Sequence, residues 1–224
     1  MPSRRDFLAS AASTGLLAAV PFDRALLLHA DERTGRSAFA ADDTDLTWVS
    51  RLRGKSRAVF DSPQASEGGA LFRAALWRQQ VNKALGVPLE DVTPVVVFRH
   101  EAIGLVMNDE YWDHMGTGKD LKWKDEKTGK WTRINPIGGN AEGVPEAFKD
   151  YNIPAFIKSG GIVLACGLAF GEVIQSYADK DKVAADEAKK RAIAHLIPGV
   201  VMQPSGFFAA LKAQDEGCHY MMGS

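Results

Sequence analysis

Residues 160–171 read GGIVLACGLAFG, with an apolar run of four residues over 162–165 that glycines flank on both sides. The run is too short for a helix, and its β-branched residues predict a strand that is buried on both faces. Residues 168–177 then fit a helix. Cys166 therefore falls where a parallel strand passes into a helix, and the clefts of α/β sheets form at that edge.

A cysteine in this position lies near the positive end of a helix dipole, which favours the thiolate and so nucleophilicity or metal affinity. The alternative is that Cys166 is only a small buried hydrophobic residue. The sequence around the cysteine does not choose between the two interpretations.

The composition is that of a globular domain with a sizeable core, since 46% of the 224 residues are hydrophobic and the formal net charge is −1. Such a balance argues against a nucleic-acid partner. The chain has only two cysteines, which argues against a disulfide-built scaffold.

The N-terminus predicts export. Arg4 and Arg5 precede Phe7-Leu8 and an alanine-rich apolar run over residues 8–20, a pattern that resembles a twin-arginine signal. We expect cleavage before Ala41, a periplasmic or otherwise exported domain over residues 41–224, and no membrane association after cleavage. An uncleaved anchor is the alternative.

The exported part alternates strands and helices, which predicts a mainly parallel sheet of about five strands with right-handed crossovers. Strands are predicted at residues 57–60, 95–98, 162–165, 200–203 and 219–222. Helices are predicted between them, at about residues 67–85, 101–108, 168–177, 182–195 and 207–216, and a further helix from Val144. Ser205 is a natural N-cap for the last helix.

Residues 116–143 interrupt the alternation with a polar, tryptophan-containing arm. Two alternating segments around residues 127–130 predict a hairpin-like insertion in which Trp123 and Trp131 pair. Such an arm fits a surface excursion, a subunit contact or a lid.

Polar side chains follow the predicted strands at the carboxyl edge of the sheet. Asp61 and Ser62 follow the first strand, His100 the second, Cys166 and Gly167 the third, and Ser205 the fourth. A thiol with a histidine in reach can form a thiolate–imidazolium pair, so Cys166 and His100 are the candidate catalytic residues and the others are candidates for substrate binding. His100 alternatively caps the following helix.

A zinc site from Cys166, Cys218, His100 and His219 fails on geometry if the last strand is parallel. The two cysteines would then lie at opposite ends of strands, roughly 16 Å apart for strands of about five residues. The chain also has no phosphate loop, dinucleotide fingerprint, nucleophile elbow or haem attachment motif. We therefore expect neither a metal nor a cofactor.

The order of these elements resembles the DsrE-like family of sulfur-relay proteins. The resemblance rests on the Cys166 strand and turn, on residues 197–200, on QPSG at 203–206, on QDEG at 214–217, and on residues 95–100 with the helix end at Asn108. It implies a three-layer α/β fold, assembly into trimers or hexamers, and a persulfide on Cys166 that is exchanged with a donor or acceptor protein. A non-catalytic binding or assembly module with the same fold is the second hypothesis.

Overall fold

The computed structural model describes residues 44–140 and 151–224. The expected export signal, its cleavage site before Ala41 and the helix expected from Val144 lie outside the described residues. The last three residues of the expected arm, 141–143, lie outside them as well.

The sheet has five strands, all parallel, in the spatial order β4-β3-β2-β1-β5. The prediction of a mainly parallel sheet of about five strands is confirmed. The strand bounds are β1 Ser56–Ser62, β2 Val92–Phe98, β3 Ile162–Cys166, β4 Val201–Gln203 and β5 His219–Met222.

Helices cover both faces of the sheet and give the α/β fold its three layers. The α-helices are α1 Gly69–Leu85, α2 Asp109–Met115, α3 Thr117–Asp120, α4 Ile153–Lys158, α5 Gly167–Asp181, α6 Ala185–Ala194 and α7 Gly206–Asp215. Short 3₁₀ helices occupy Thr47–Arg51, Ser66–Gly68, Leu89–Asp91 and His100–Val106.

The neighbouring strands β2 and β3 are buried along their whole length because each face of the sheet packs against a helical layer there. Val95 and Val97 of β2 face the layer that contains α7 and the fully buried Trp48. Val96 and Phe98 face the opposite layer, where α1 and α5 supply most of the contacts. The continuous apolar runs of the sequence therefore follow from burial on two sides.

Side chains close the first turns of the helices that leave the carboxyl edge of the sheet. Ser205 Oγ accepts a hydrogen bond from the Phe208 backbone N–H at 3.1 Å, which confirms its prediction as the N-cap of α7. Cys166 occupies the same position before α5, and its sulfur accepts from the Ala169 N–H.

The arm packs on the core of its own chain. Only one antiparallel bridge, Lys124 with Trp131, occurs in its described part, residues 116–140. Trp123 contacts Trp112 edge to face, with 6.1 Å between ring centroids, so the expected pairing of Trp123 with Trp131 is wrong. The buried Asn135 fixes the arm by donating to the carbonyls of Leu105 and Met107 at 2.7 and 2.6 Å.

The strand β5 forms one edge of the sheet, and all four of its residues are exposed. It pairs with β1 in parallel, and the chain after it is anchored to β1 and α1. The Gly223 N–H donates to the Asp61 carbonyl at 2.7 Å, and the Arg73 guanidinium donates to the Gly223 carbonyl. Among the described helices, none has both the length and the apolar character that crossing a bilayer requires.

Candidate functional site

The carboxyl ends of β1, β2 and β3 meet at one edge of the sheet because the three strands are parallel neighbours. Phe98 pairs with Ser62 on one side and with Ala165 on the other. Arg99 and Cys166, which come next along the chain, are therefore neighbours in the backbone register. The Arg99 N–H also donates to the Ser62 carbonyl at 3.1 Å, which fixes the point at which the chain leaves β2.

Asp61 and Arg99 form a two-point ion pair at this edge. Arg99 Nε lies 2.8 Å from Asp61 Oδ1, and Nη2 lies 2.9 Å from Oδ2. The Asp61 side chain is only 4% exposed and that of Arg99 is 21% exposed, so the pair is largely withdrawn from water. The Tyr220 hydroxyl donates to Asp61 Oδ2 at 2.8 Å and satisfies the carboxylate further.

The electrostatics of this cluster keep Arg99 charged and Tyr220 neutral. The hydrogen bond with Asp61 is the main reason that the pKa of Arg99 is raised, while partial burial opposes the shift and the negative charge of Asp61 adds to it, with smaller contributions from the neighbouring Tyr220 and Cys166. Burial, followed by the hydrogen bond to Asp61, raises the pKa of Tyr220. A permanent positive charge therefore lies within electrostatic range of the Cys166 sulfur.

The first turn of α7 shapes the surface over Arg99. The guanidinium carbon lies 5.1 Å from the centre of the Phe207 ring, a cation–π contact. A Cβ on Gly206 would approach Arg99 Cδ to 2.5 Å, so only glycine lets the helix come this close. The arginine is thus held between a carboxylate and an aromatic ring, with little freedom to move.

Cys166 is the last residue of β3 and caps α5. Its sulfur lies 3.4 Å from the Ala169 backbone nitrogen, whose N–H points at it, and the residue is 5% exposed. The sulfur thus lies at the N-terminal end of α5, and the charge of Arg99 acts on it. Cys166 therefore lies where a strand passes into a helix, as the sequence predicts.

His100 does not take part in this cluster. No hydrogen bond joins it to Cys166 in the part of the chain that the structure describes, so the expected thiolate–imidazolium pair is not formed. Its backbone has a left-handed φ of 51°, and its exposed side chain lines a separate cavity. The strand ends do not bring the two residues together because the chain turns away from the edge at His100.

The residues expected to bind substrate are engaged in local structure instead. Ser62 is fully buried, and its hydroxyl donates to the Gln64 carbonyl at 3.0 Å. Ser205 caps α7, Gly167 is the buried first residue of α5, and Asp61 is held by Arg99 and Tyr220. The side chains of Asp61, Ser62 and Ser205 are thus committed to contacts within the protein, and Gly167 has no side chain.

Cys218 lies just before β5, at the amino end of the sheet, and Cys166 lies at the carboxyl end with β2 and β1 between their strands. Both thiols are free. Burial raises the pKa of Cys218 to about 11, with Glu216 adding to the shift and Arg57 opposing it. The separation expected from a parallel last strand is confirmed.

Sequence reasoning missed Arg99 and Tyr220, which complete the cluster around Asp61. The sequence held a signal for this cluster, since Arg99 directly follows β2 and Asp61 is the last residue but one of the neighbouring β1. Within residues 44–140 and 151–224, no group of three or more His, Cys, Asp or Glu side chains is arranged to hold a metal ion.

No protein-family model matches the chain, and neither the curated proteins nor the solved structures contain a match to it. The function is therefore inferred from the geometry of the site.

Proposed function

We propose that this chain is an exported sulfur-handling protein in which Cys166 accepts and passes on a sulfane sulfur. The observation that carries the proposal is the position of the Cys166 sulfur, which accepts from the Ala169 N–H and lies in the field of Arg99. The resemblance to DsrE-like sulfur-relay proteins in the order of the elements supports the same chemistry.

The proposed step is an exchange at a donor persulfide, R–S–SH. The Cys166 thiolate attacks the outer sulfur of the donor, a new S–S bond forms, and the donor S–S bond breaks. The donor leaves as the thiolate R–S⁻, and Cys166 keeps the transferred SH group. No external oxidant or reductant is needed, because the outer sulfur moves without a change in the total number of electrons.

Arg99 has a defined role in this step. Its positive charge, which acts on the Cys166 sulfur, stabilises the attacking thiolate and, afterwards, the anion of the bound persulfide. Asp61 and Tyr220 hold Arg99 in place and do not touch the donor.

The expected donor or acceptor is a second protein that carries a reactive thiol, and the expected compartment is the periplasm or another exported location. The twin-arginine pattern at Arg4 and Arg5 motivates the compartment. Nucleic acid is not an expected partner for a chain with a formal net charge of −1.

The test is intact-mass measurement of the full chain after incubation with inorganic polysulfide. We expect mass to be added in steps of one sulfur atom and to be lost on treatment with a thiol reductant. The addition should disappear in Cys166→Ser and persist in Cys218→Ser. An unchanged mass of the unsubstituted chain would overturn the proposal.

A second candidate function, a non-catalytic assembly module, is favoured by the exposed edge strand. Tyr220, Met221 and Met222 of β5 are 44–54% exposed, and an uncharged apolar edge invites pairing with another chain. Such pairing between copies would build the homo-oligomer, trimer or hexamer, that the resemblance implies.

The two functions separate in one comparison. If sulfur handling is the function, Cys166→Ala should abolish the activity of the protein in the cell, and Met221→Lys should reduce that activity less. If assembly is the function, Met221→Lys should be the damaging change and Cys166→Ala should be neutral.

A further inference from the structure

The helix α7 carries its small residues inward and its large apolar residues outward. Its buried positions hold only glycine and alanine, at Gly206, Ala209, Ala210 and Ala213. Phe207, Phe208 and Leu211, which we call the outer face of α7, are 62%, 38% and 61% exposed. A helix that is apolar on every side is typical of a buried element, so the outer face has the composition of an interface.

The edge strand β5 extends this apolar surface on the same side of the sheet. Tyr220 pairs with Val59, whose side chain faces the layer that contains α7. Because side chains alternate along a strand, Tyr220 and Met222 both point to this side. They are 44% and 54% exposed, and we call the two residues the edge strip.

A chain of contacts joins the outer face of α7 to the edge strip. The Tyr220 hydroxyl donates to Asp61, the carboxylate that Arg99 clamps. The Arg99 guanidinium in turn lies beside the Phe207 ring. The Tyr220 oxygen also lies 4.0 Å from the Met222 sulfur. The outer face and the edge strip therefore belong to one continuous surface.

The sheet is wider than the helix that covers this side. The helix α7 packs chiefly on β3 and β2, and the sheet continues beyond them through β1 and β5. A helix is about 10 Å wide, which is about two strand spacings. The surface between α7 and the sheet edge therefore forms a shallow recess one helix wide, with the edge strip as its floor.

We propose that a second copy of this chain occupies the recess, related to the first by a two-fold axis. The helix α7 of each copy then lies in the recess of the other, with its outer face on the partner's edge strip. A two-fold interface needs complementary features on one and the same surface, and this side of the molecule has both a ridge and a recess. The arrangement uses neither the strand edge of β5 nor the sulfur chemistry.

The surface is large enough for a specific dimer. The five side chains of the outer face and the edge strip expose on the order of 500 Å², since a whole aromatic side chain presents about 200 Å². Two copies together bury about 1,000 Å² from these side chains alone, which is the lower bound for a specific interface.

The neighbouring charges do not oppose the contact. Lys212 of α7 is paired with Glu216, and Arg99 is paired with Asp61. Two copies that meet on this side therefore do not bring these like charges together without counter-charges.

The test is sedimentation equilibrium on the full chain. We expect a two-chain species with a dissociation constant on the order of 10 µM, as suits an interface of this size. Leu211→Asp should weaken it about 30-fold because it places a charge in the apolar contact. Leu85→Asp makes the same change at a 71%-exposed position of α1 on the opposite side of the sheet, and should leave the mass unchanged. A single-chain mass for the unsubstituted protein at about 200 µM would overturn the proposal.

Met221 separates this interface from strand pairing at β5. Its side chain faces away from α7, because Met221 pairs with Phe60 of the opposite layer. Met221→Lys should therefore leave the two-chain species intact, and so should Cys166→Ser. If Met221→Lys removes that species and Leu211→Asp does not, strand pairing accounts for the dimer and the proposal fails.

A charge swap tests the arrangement of the two copies. Met222→Lys alone should weaken the dimer as Leu211→Asp does. Mixed in equal amounts, the two variants should form a two-chain species again. The new carboxylate of one copy then meets the new ammonium group of the other, and the second of the two equivalent contacts keeps its original residues. If circular dichroism shows both variants folded and the mixture stays single-chain, the proposed arrangement is wrong.

Discussion

Arg99 clamps Asp61 through two parallel hydrogen bonds of 2.8 and 2.9 Å, across the carboxyl ends of two neighbouring strands. The two residues are 38 positions apart in the sequence, and the register of β1 with β2 brings them together. Because Tyr220 from the last strand donates to the same carboxylate, one acidic residue ties three strands of the sheet to each other.

Asp61→Asn should destabilise the fold. It leaves the Arg99 guanidinium partly buried without its counter-charge, and we expect a loss of about 2 kcal/mol in the free energy of unfolding, measured by urea denaturation. The matched control is Asp113→Asn, which breaks the exposed ion pair with Arg133 and should have a much smaller effect. Equal losses in the two variants would show that burial does not strengthen the Asp61 pair.

Cys166 should be the first cysteine to react with iodoacetamide at pH 8. Both cysteines are 5% exposed, so their surroundings and not their accessibility separate them. With a pKa of about 11, roughly one in a thousand Cys218 thiols is ionised at this pH. Peptide mapping after brief labelling should find the adduct at Cys166, and labelling of Cys218 at the same rate would contradict the expected contrast.

Stability should fall at alkaline pH through Cys218. The folded state holds its proton up to a pKa of about 11, whereas an unfolded cysteine loses it near pH 8.5. Between these values the unfolded state binds fewer protons than the folded state, so raising the pH favours unfolding. Denaturation midpoints at pH 8 to 11 should decline more steeply for the unsubstituted chain than for Cys218→Ala, and parallel declines would refute the linkage.

Met221→Lys should dissociate a homo-oligomer formed through β5. Met221 is 51% exposed on the edge strand, and a lysine there opposes strand pairing with another chain. Light scattering on the full chain should give a multiple of one chain's mass before the change and a lower multiple after it. Leu85→Lys, at an exposed position at the end of α1, is the control and should not alter the mass. A single-chain mass for the unsubstituted protein at micromolar concentration would remove the oligomer proposal.

The two tryptophans of the arm should behave differently. Trp123 is partly buried and packs on Trp112, so Trp123→Ala should cost about 2 kcal/mol in the free energy of unfolding. Trp131 is 42% exposed beside Lys124, and Trp131→Ala should change stability by less than about 0.5 kcal/mol. A change in oligomer mass with either variant would instead assign the arm to a subunit contact.

The sequence alone predicts much of this fold because burial on two faces leaves a clear pattern. β5 has the expected bounds, Ser205 is the expected cap, and Cys166 ends the expected strand. The expected helix over residues 101–108 forms as the 3₁₀ helix His100–Val106, which starts one residue and ends two residues earlier. Local signals of cap, strand and turn were sufficient for these elements.

The site was harder to predict because it depends on register and on single backbone angles. Alternation along β2 directs Arg99 towards α7 and Asp61, and that relation appears only once β1 and β2 are aligned. His100 was expected beside Cys166, but its left-handed φ of 51° cannot be read from residue type. The cavity that His100 lines is formed by several elements distant in sequence, so no motif announces it.

The position of β5 in the sheet also sets an order for folding during synthesis. Tyr220 is made 159 residues after Asp61, yet it supplies the third strand that Asp61 joins. A nascent chain that has emerged only as far as α7 already contains Asp61 and Arg99, but β1 is still an unprotected edge. The final sheet therefore forms only after β5 has left the ribosome, and a chain truncated before Cys218 would present β1 to other chains as a site of aggregation.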